Sequence, residues 1–287
     1  MSAGSTARLR LNGDAALGFA GKLGYLAGNA LRNAILDRPG ALTVERFAPA
    51  GLGAVAGTPS PSRALCEAHL AAFDWDEFAR AAGGIRMHEM GCGSGRAGAL
   101  VTAASGQAIR YRGFDIAARE SWARPAPQAS FAAFDGKDFA GTIAPGDNFF
   151  FSQSAAEHIP ADLDYFTAVA RACAAAPGPT LQIHYLPSAA CLRLYLFHGY
   201  RQYPAGVLAR LADLQPGDAR VSAVALGGPA AIALHWRWIT WPALRGRPDR
   251  RAADPEGYRA AFRAAVAADA ERLSEAPAFW ALVVRRG

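Results

Sequence analysis

An acidic residue two places ahead of three alternate glycines, Glu89-Met-Gly91-Cys-Gly93-Ser-Gly95, constrains this chain more than any other stretch. Glycine has no Cβ and tolerates positive φ, so alternate glycines let the backbone turn sharply and bring main-chain N–H groups against a polar ligand. The preceding Ile85 to Met90 has the mixed apolar character of a strand. The Glu89 carboxylate would then project from the strand's C-terminal end, where open α/β sheets bind ligands. Spacing alone leaves two chemistries open. Gly93-Ser-Gly95-Arg-Ala-Gly98 also spells the GxGxxG of dinucleotide-binding folds, with Asp115 near the distance expected for a ribose carboxylate. His88-Glu89 argues against that reading, which expects a uniformly apolar strand ahead of the glycines.

Downstream stand Tyr111-Arg-Gly-Phe-Asp115, then Phe131-Ala-Ala-Phe-Asp135, then a strongly apolar Asn148 to Ser152 leading through Gln153 into Glu157-His158. With the glycine loop, this series resembles the class I S-adenosylmethionine-dependent methyltransferases. Members of that family carry the acidic-x-Gly-x-Gly-x-Gly loop after a first strand, an acidic residue ending the second, an Asp after the third and often a Glu-His pair past the fourth. The resemblance covers about Ile85 to Pro187, plus the terminal Phe279 to Arg285, which looks like the last, antiparallel strand of that sheet. It implies a doubly wound, mostly parallel Rossmann-like α/β sheet, with N-terminal helices and an insertion in the C-terminal half. The expected division is residues 1–60 as a mobile tail and amphipathic helix, and 61–287 as the cofactor-binding domain with an acceptor-binding insertion at about 188–277.

The same resemblance implies S-adenosyl-L-methionine as cofactor, with Gly91, Gly93 and Gly95 against its methionine and ribose portion and Glu89 toward its ammonium end. Asp115 would accept from the ribose hydroxyls. Asp135 would accept from the adenine amine while Phe134 covers the ring, and the carbonyls of Ser152 and Gln153 would face the methionine amine. For an acceptor hydroxyl a base is needed, and His158 and His184 are the candidates, because imidazole titrates near working pH. Glu157 would orient His158 or bind the acceptor. His88 should point away from Glu89 and pack.

Acceptor specificity belongs outside a shared core. Tyr185, His198, Tyr200 and Arg201 have site-like chemistry, within a segment dense in flat amphipathic rings that suit sugars or aromatic metabolites. The expected acceptor is a hydroxyl on a sugar or glycan intermediate, with a small phenolic metabolite next. A nicotinamide-dependent oxidoreductase and a catalytically silent, cofactor-binding regulatory subunit are the alternatives. Trp236 and Trp238 alternate as in a strand.

Composition limits partners. An apolar fraction of 52% is ample for a core. The net charge of +6 is almost wholly arginine, since only Lys22 and Lys137 are lysines. The densest run, Arg245 to Arg251, could grip a phosphate or carboxylate but is too short to suggest nucleic acid. Four cysteines without CxxC spacing read as reduced thiols of a cytoplasmic protein, and no metal-ligand spacing is present. The apolar Ala15 to Leu36 is interrupted by Lys22, Asn29, Arg32 and Asn33, so it reads as an amphipathic helix with Leu23, Leu26, Ala30, Leu31 and Ile35 on one face. It would serve as a lid or homodimer contact. Ser62 is placed to cap the helix that leads into the sheet.

Overall fold

The computed structural model describes residues 18–37, 42–49, 57–123, 128–195, 199–271 and 276–287. The expected tail lies outside these residues. Eight strands form one sheet: β1 (Thr43–Arg46), β2 (Arg86–Met90), β3 (Arg110–Asp115), β4 (Ala129–Ala133), β5 (Phe149–Gln153), β6 (Thr180–Pro187), β7 (Arg220–Leu226) and β8 (Phe279–Arg286). The helices are α1 (Phe19–Leu36), α2 (Pro61–Ala71), α3 (Trp75–Ala82), α4 (Arg96–Ser105), α5 (Phe139–Thr142) and α6 (Asp162–Ala175). They continue with α7 (Leu192–Tyr195), α8 (Ala205–Asp213), α9 (Pro229–His235), α10 (Trp241–Leu244) and α11 (Pro255–Glu271).

The strand order is β1-β7-β8-β6-β5-β2-β3-β4. All pairings are parallel except those of β8, which runs antiparallel between β6 and β7. This is the doubly wound, mostly parallel sheet with a terminal antiparallel strand that the sequence implied. β1 lies ahead of Pro61, yet it joins the sheet through β7.

Strands buried on both faces explain the long apolar runs. Phe149 and Phe151 pack on one side with Leu65 and Leu70 of α2, Val101 of α4 and Phe262 of α11. Phe150 packs on the other with Tyr165, Phe166 and Val169 of α6 and Leu208 of α8. The chain leaves β2, builds outward to β4 and returns to β5 on β2's other side. The ends of β2 and β5 therefore flank the sheet's switch point, where a crevice opens in such folds.

Two expectations are corrected. The cap of α2 is Ser60, whose hydroxyl accepts from Arg63 N–H at 3.4 Å, with Pro61 at the first helical position and Ser62 buried within the helix. Trp236 and Trp238 belong to a π-helical turn, Trp236–Thr240, rather than to a strand. The amphipathic α1 lays its polar side on the protein. Asn33 donates to the Gln202 amide oxygen and Arg32 to the Gln202 carbonyl, both at 2.9 Å, and Tyr25 Oη donates to Gly199 O at 2.9 Å. Leu23, Leu31 and Ile35 are exposed, and Asn29 and Asn33 are buried. No helix among the described residues is long and apolar enough to cross a membrane.

Candidate functional site

The glycine loop joins β2 to α4 at the switch point, and its glycines answer different local demands. A Cβ on Gly91 (φ +76°) would sit 2.2 Å from Ala155 Cβ, so this glycine lets the loop abut the segment after β5. Gly95 lies against the Phe131 ring in the same sense. Gly93 (φ +52°) differs: a Cβ there would meet nothing within 4 Å. Its backbone borders open space rather than a neighbour, which is what a ligand cradle requires.

Gly93 N–H donates to Asp115 Oδ2 at 2.8 Å, tying the loop to the end of β3. Among the described residues, Asp115 Oδ1 has only a 3.5 Å ion pair to the half-exposed Arg119. A carboxylate oxygen has two lone-pair directions, so Asp115 keeps acceptor capacity toward the crevice. Trp122, which the sequence reading passed over, donates its indole N–H to Gly93 O at 2.8 Å and stacks on Phe131 with ring centroids 5.3 Å apart.

Glu89 is buried beneath the loop and accepts the Tyr111 hydroxyl at 2.5 Å. Burial raises its pKa to about 8, against the opposing pull of the Tyr111 hydrogen bond. It therefore tends to stay protonated until a cation or a strong donor arrives. Phe134 packs on Phe139, with centroids 5.0 Å apart, and Asp135 is exposed in a turn, accepting Lys137 N–H at 3.1 Å and pairing with its ammonium at 3.3 Å. His88 is packed as expected, bonded to Thr142 Oγ1 at 2.9 Å and stacked on Phe114.

After β5, Ser154 adopts a left-handed φ of +49°, uncommon for a residue with a Cβ and a mark of local strain beside the crevice. A 3₁₀ turn, Ala156–His158, follows and holds His158 half-buried at its end. Glu157 turns inward. Its Oε2 has no hydrogen-bond partner among the described residues, and burial lifts its pKa to about 8. Gly199 packs so closely on it that a Cβ there would lie 2.9 Å from Glu157 Cγ. Tyr200 N–H donates to Glu157 O at 2.7 Å, which fastens the segment after residue 198 over this turn.

The remaining expected site residues are placed differently. His184 does not face the crevice. It is fully buried, its Nδ1 bonded to Ser152 Oγ at 2.9 Å and its ring edge-on to Tyr165 and Phe166, and burial holds its pKa down at about 3. β6 runs three residues beyond it, so a position that looked terminal lies inside the sheet. Tyr185 is also buried, bonded at 2.8 Å to Nδ1 of His69 on α2. Arg201 is bound internally to Asp162, which also accepts Tyr203 Oη at 2.8 Å, and so joins its segment to α6. His198 lies outside the described residues. The basic run from Arg245 is dispersed: Arg251 forks onto Asp249, Arg250 covers Trp238, and Arg245 lies over Trp241. Among the described residues no group of three His, Cys, Asp or Glu side chains could hold a metal ion.

No known family model matches the chain, and no curated protein matches it. Solved structures do. The plantazolicin methyltransferase BamL, crystallised with a triazolic desmethylPZN analog and SAH, aligns over 79% of this chain and 85% of its own, at 14% identity and a TM-score of 0.48. The [4+2]-cyclase SpnF aligns over 93% of this chain and 94% of its own, at 14% identity and a TM-score of 0.45. Phosphoethanolamine N-methyltransferase 2 of Haemonchus contortus, in complex with S-adenosyl-L-methionine, aligns over 78% of this chain but only 57% of its own, at 14% identity and a TM-score of 0.40. Likenesses this distant do not identify an activity, and the functional reading rests on the chain's own loop, carboxyl groups and topology.

Proposed function

We propose that this protein transfers a methyl group from S-adenosyl-L-methionine to a small-molecule acceptor. The observation that carries the reading is Gly93, whose missing Cβ leaves open space at the switch point while its N–H is fixed by Asp115. These residues fit the cofactor. The Gly91 to Gly95 backbone would lie along the methionine and ribose portion, and the free acceptor capacity of Asp115 would meet the ribose hydroxyls. Glu89, poised with a raised pKa, would give up its proton to hold the cofactor's ammonium end, directly or through water. The Ser152 and Gln153 carbonyls would face the same amine, and Phe134 and Asp135 would border the adenine. When bound, the cofactor supplies the activated methyl group, so the protein's contribution is alignment.

A hydroxyl acceptor adds a demand for proton removal. Of the two histidines considered, His158 is the one to assign as base, since His184 is sealed in the core. Glu157, with a buried and unpartnered oxygen, and Tyr200 would bound the acceptor beside it. The test is to incubate the full chain with methyl-labelled S-adenosylmethionine and a cell extract and to identify the labelled product. A labelled small metabolite is expected. Intact S-adenosylhomocysteine binding with no labelled product under any condition would instead favour a silent, cofactor-binding subunit.

A further inference from the structure

Among the described residues, a cavity of about 660 Å³ lies outside the crevice, between α7, α9 and the π-helical turn. It is walled mainly by Leu194, Ile232, Trp236 and Trp241, with Arg193 and Arg237 also lining it. No carboxylate lines it among the described residues, and Arg245, outside the lining, lies over the Trp241 ring 4.2 Å from its centroid. The volume falls in the range of small-molecule sites, about 300 to 1,000 Å³. Among the described residues the combination is an apolar, aromatic-walled cavity whose charged lining is Arg193 and Arg237.

The π turn makes this wall. Residues five apart on an α-helix point about 140° away from each other, given 3.6 residues per turn. In a π turn the hydrogen bond runs between residues five apart, and here Trp241 N–H donates to Trp236 O. The two indoles are consequently brought onto one side, 6.2 Å between centroids and inclined by 28°. The turn is fixed in place: Thr240 Oγ1 donates to Leu194 O at 2.8 Å and contacts His235 Nδ1 at 3.1 Å, while Trp238 is buried against Tyr258. A helix defect is thus stabilised by tertiary bonds, and its effect is to line a cavity with two rings.

We infer that this cavity binds an aromatic carboxylate, its flat body against Trp236 and Trp241 and its anionic group on Arg193 and Arg237. Guanidinium groups hold carboxylates through paired, charge-assisted hydrogen bonds. α7, which carries Arg193 and Leu194, follows β6 through the short turn Ala189–Cys191. That the ligand is the methyl acceptor rests on the methyl-transfer reading, whereas its binding does not.

Calorimetry on the full chain with 2-naphthoate and with the neutral 2-naphthamide tests the site. Naphthoate should bind at least tenfold more tightly than the amide, and the double variant Arg193→Gln/Arg237→Gln should erase that preference. Trp241→Ala should weaken both ligands fivefold or more. All three side chains are substantially exposed, so the fold should survive, as an unchanged thermal midpoint would verify. Equal binding of the two ligands, no binding of either, or a preference that survives in the double variant would overturn the inference. So would a dimer in sedimentation that Trp241→Ala converts to monomer, which would give the groove to a second copy. S-adenosylhomocysteine titrated into the same samples separates the two readings. Naphthoate binding without it leaves this site standing and removes the methyl-transfer role, and the converse does the reverse.

Discussion

Replacing Glu157 with glutamine should stabilise the protein, and only above mildly acidic pH. The carboxyl is fully buried, its Oε2 has no partner among the described residues, and burial raises its pKa from 4.5 to about 8. Below pH 4.5 folded and unfolded states both carry the proton, and the raised folded pKa confers its full stability there. Between 4.5 and 8 only the folded state keeps the proton, so unfolding releases it and stability falls by about 1.4 kcal/mol per pH unit. At pH 7 the loss is about 3 kcal/mol, from 2.5 units at that slope. Glu89, raised to the same value, contributes a second proton over the same window. His69, His88, His184 and His235, held down by burial at about 3 to 4, oppose this trend below pH 6.5, so the quantity to read in urea melts between pH 5 and pH 7.5 is the difference between Glu157→Gln and wild type, which should grow by about 1.4 kcal/mol per unit. The variant should match wild type near pH 4.5 and exceed it at pH 7. An unchanged slope, or a variant less stable at pH 7, would mean the carboxylate is ionised and held, and the reasoning would be wrong.

Gly93→Val should abolish binding of S-adenosylhomocysteine and lower the thermal midpoint moderately, because φ +52° strains a β-branched residue by about 1 to 3 kcal/mol, whereas Gly91→Val should lower the midpoint further because its Cβ also overlaps Ala155; melting curves with and without ligand distinguish them. Asp115→Ala should weaken cofactor binding by about 1 to 3 kcal/mol, the usual loss for hydrogen bonds to a charged group, measured by calorimetry. His158→Ala should lower turnover by about a hundredfold or more with cofactor affinity unchanged. His184→Ala should act on stability instead, costing about 2 to 4 kcal/mol in denaturant melts, since it leaves a cavity between Tyr165, Phe166 and Ser152.

The parallel sheet was legible because strands buried on both faces read as apolar runs, as Phe149 to Phe151 do, and because the glycine loop marks the turn from β2 into α4. The features that were hidden depend on distant partners. Periodicity showed that α1 is amphipathic but not which side it buries, because the acceptors for Arg32 and Asn33 come from Gln202, about 170 residues away. Trp236 and Trp238 satisfy a period of two, whereas the π turn they form is held by the Thr240 bond to distant Leu194. The cap at Ser60 could have been read, since Pro61 after it suits the first helical position better than any site ahead of Ser62. Nothing local distinguishes a histidine ending a strand from one three residues inside it. Asp115 showed its chemistry in the sequence, but its bond to Gly93 and the covering Trp122 are products of the fold.

The central claim is that the crevice beside Gly93 is built for S-adenosylmethionine. Calorimetric titration of the full chain with S-adenosylhomocysteine, with NAD as the comparison ligand, tests it most directly. The account predicts saturable binding of S-adenosylhomocysteine that Gly93→Val removes, and no preference for NAD. Micromolar NAD binding with no response to S-adenosylhomocysteine would contradict it.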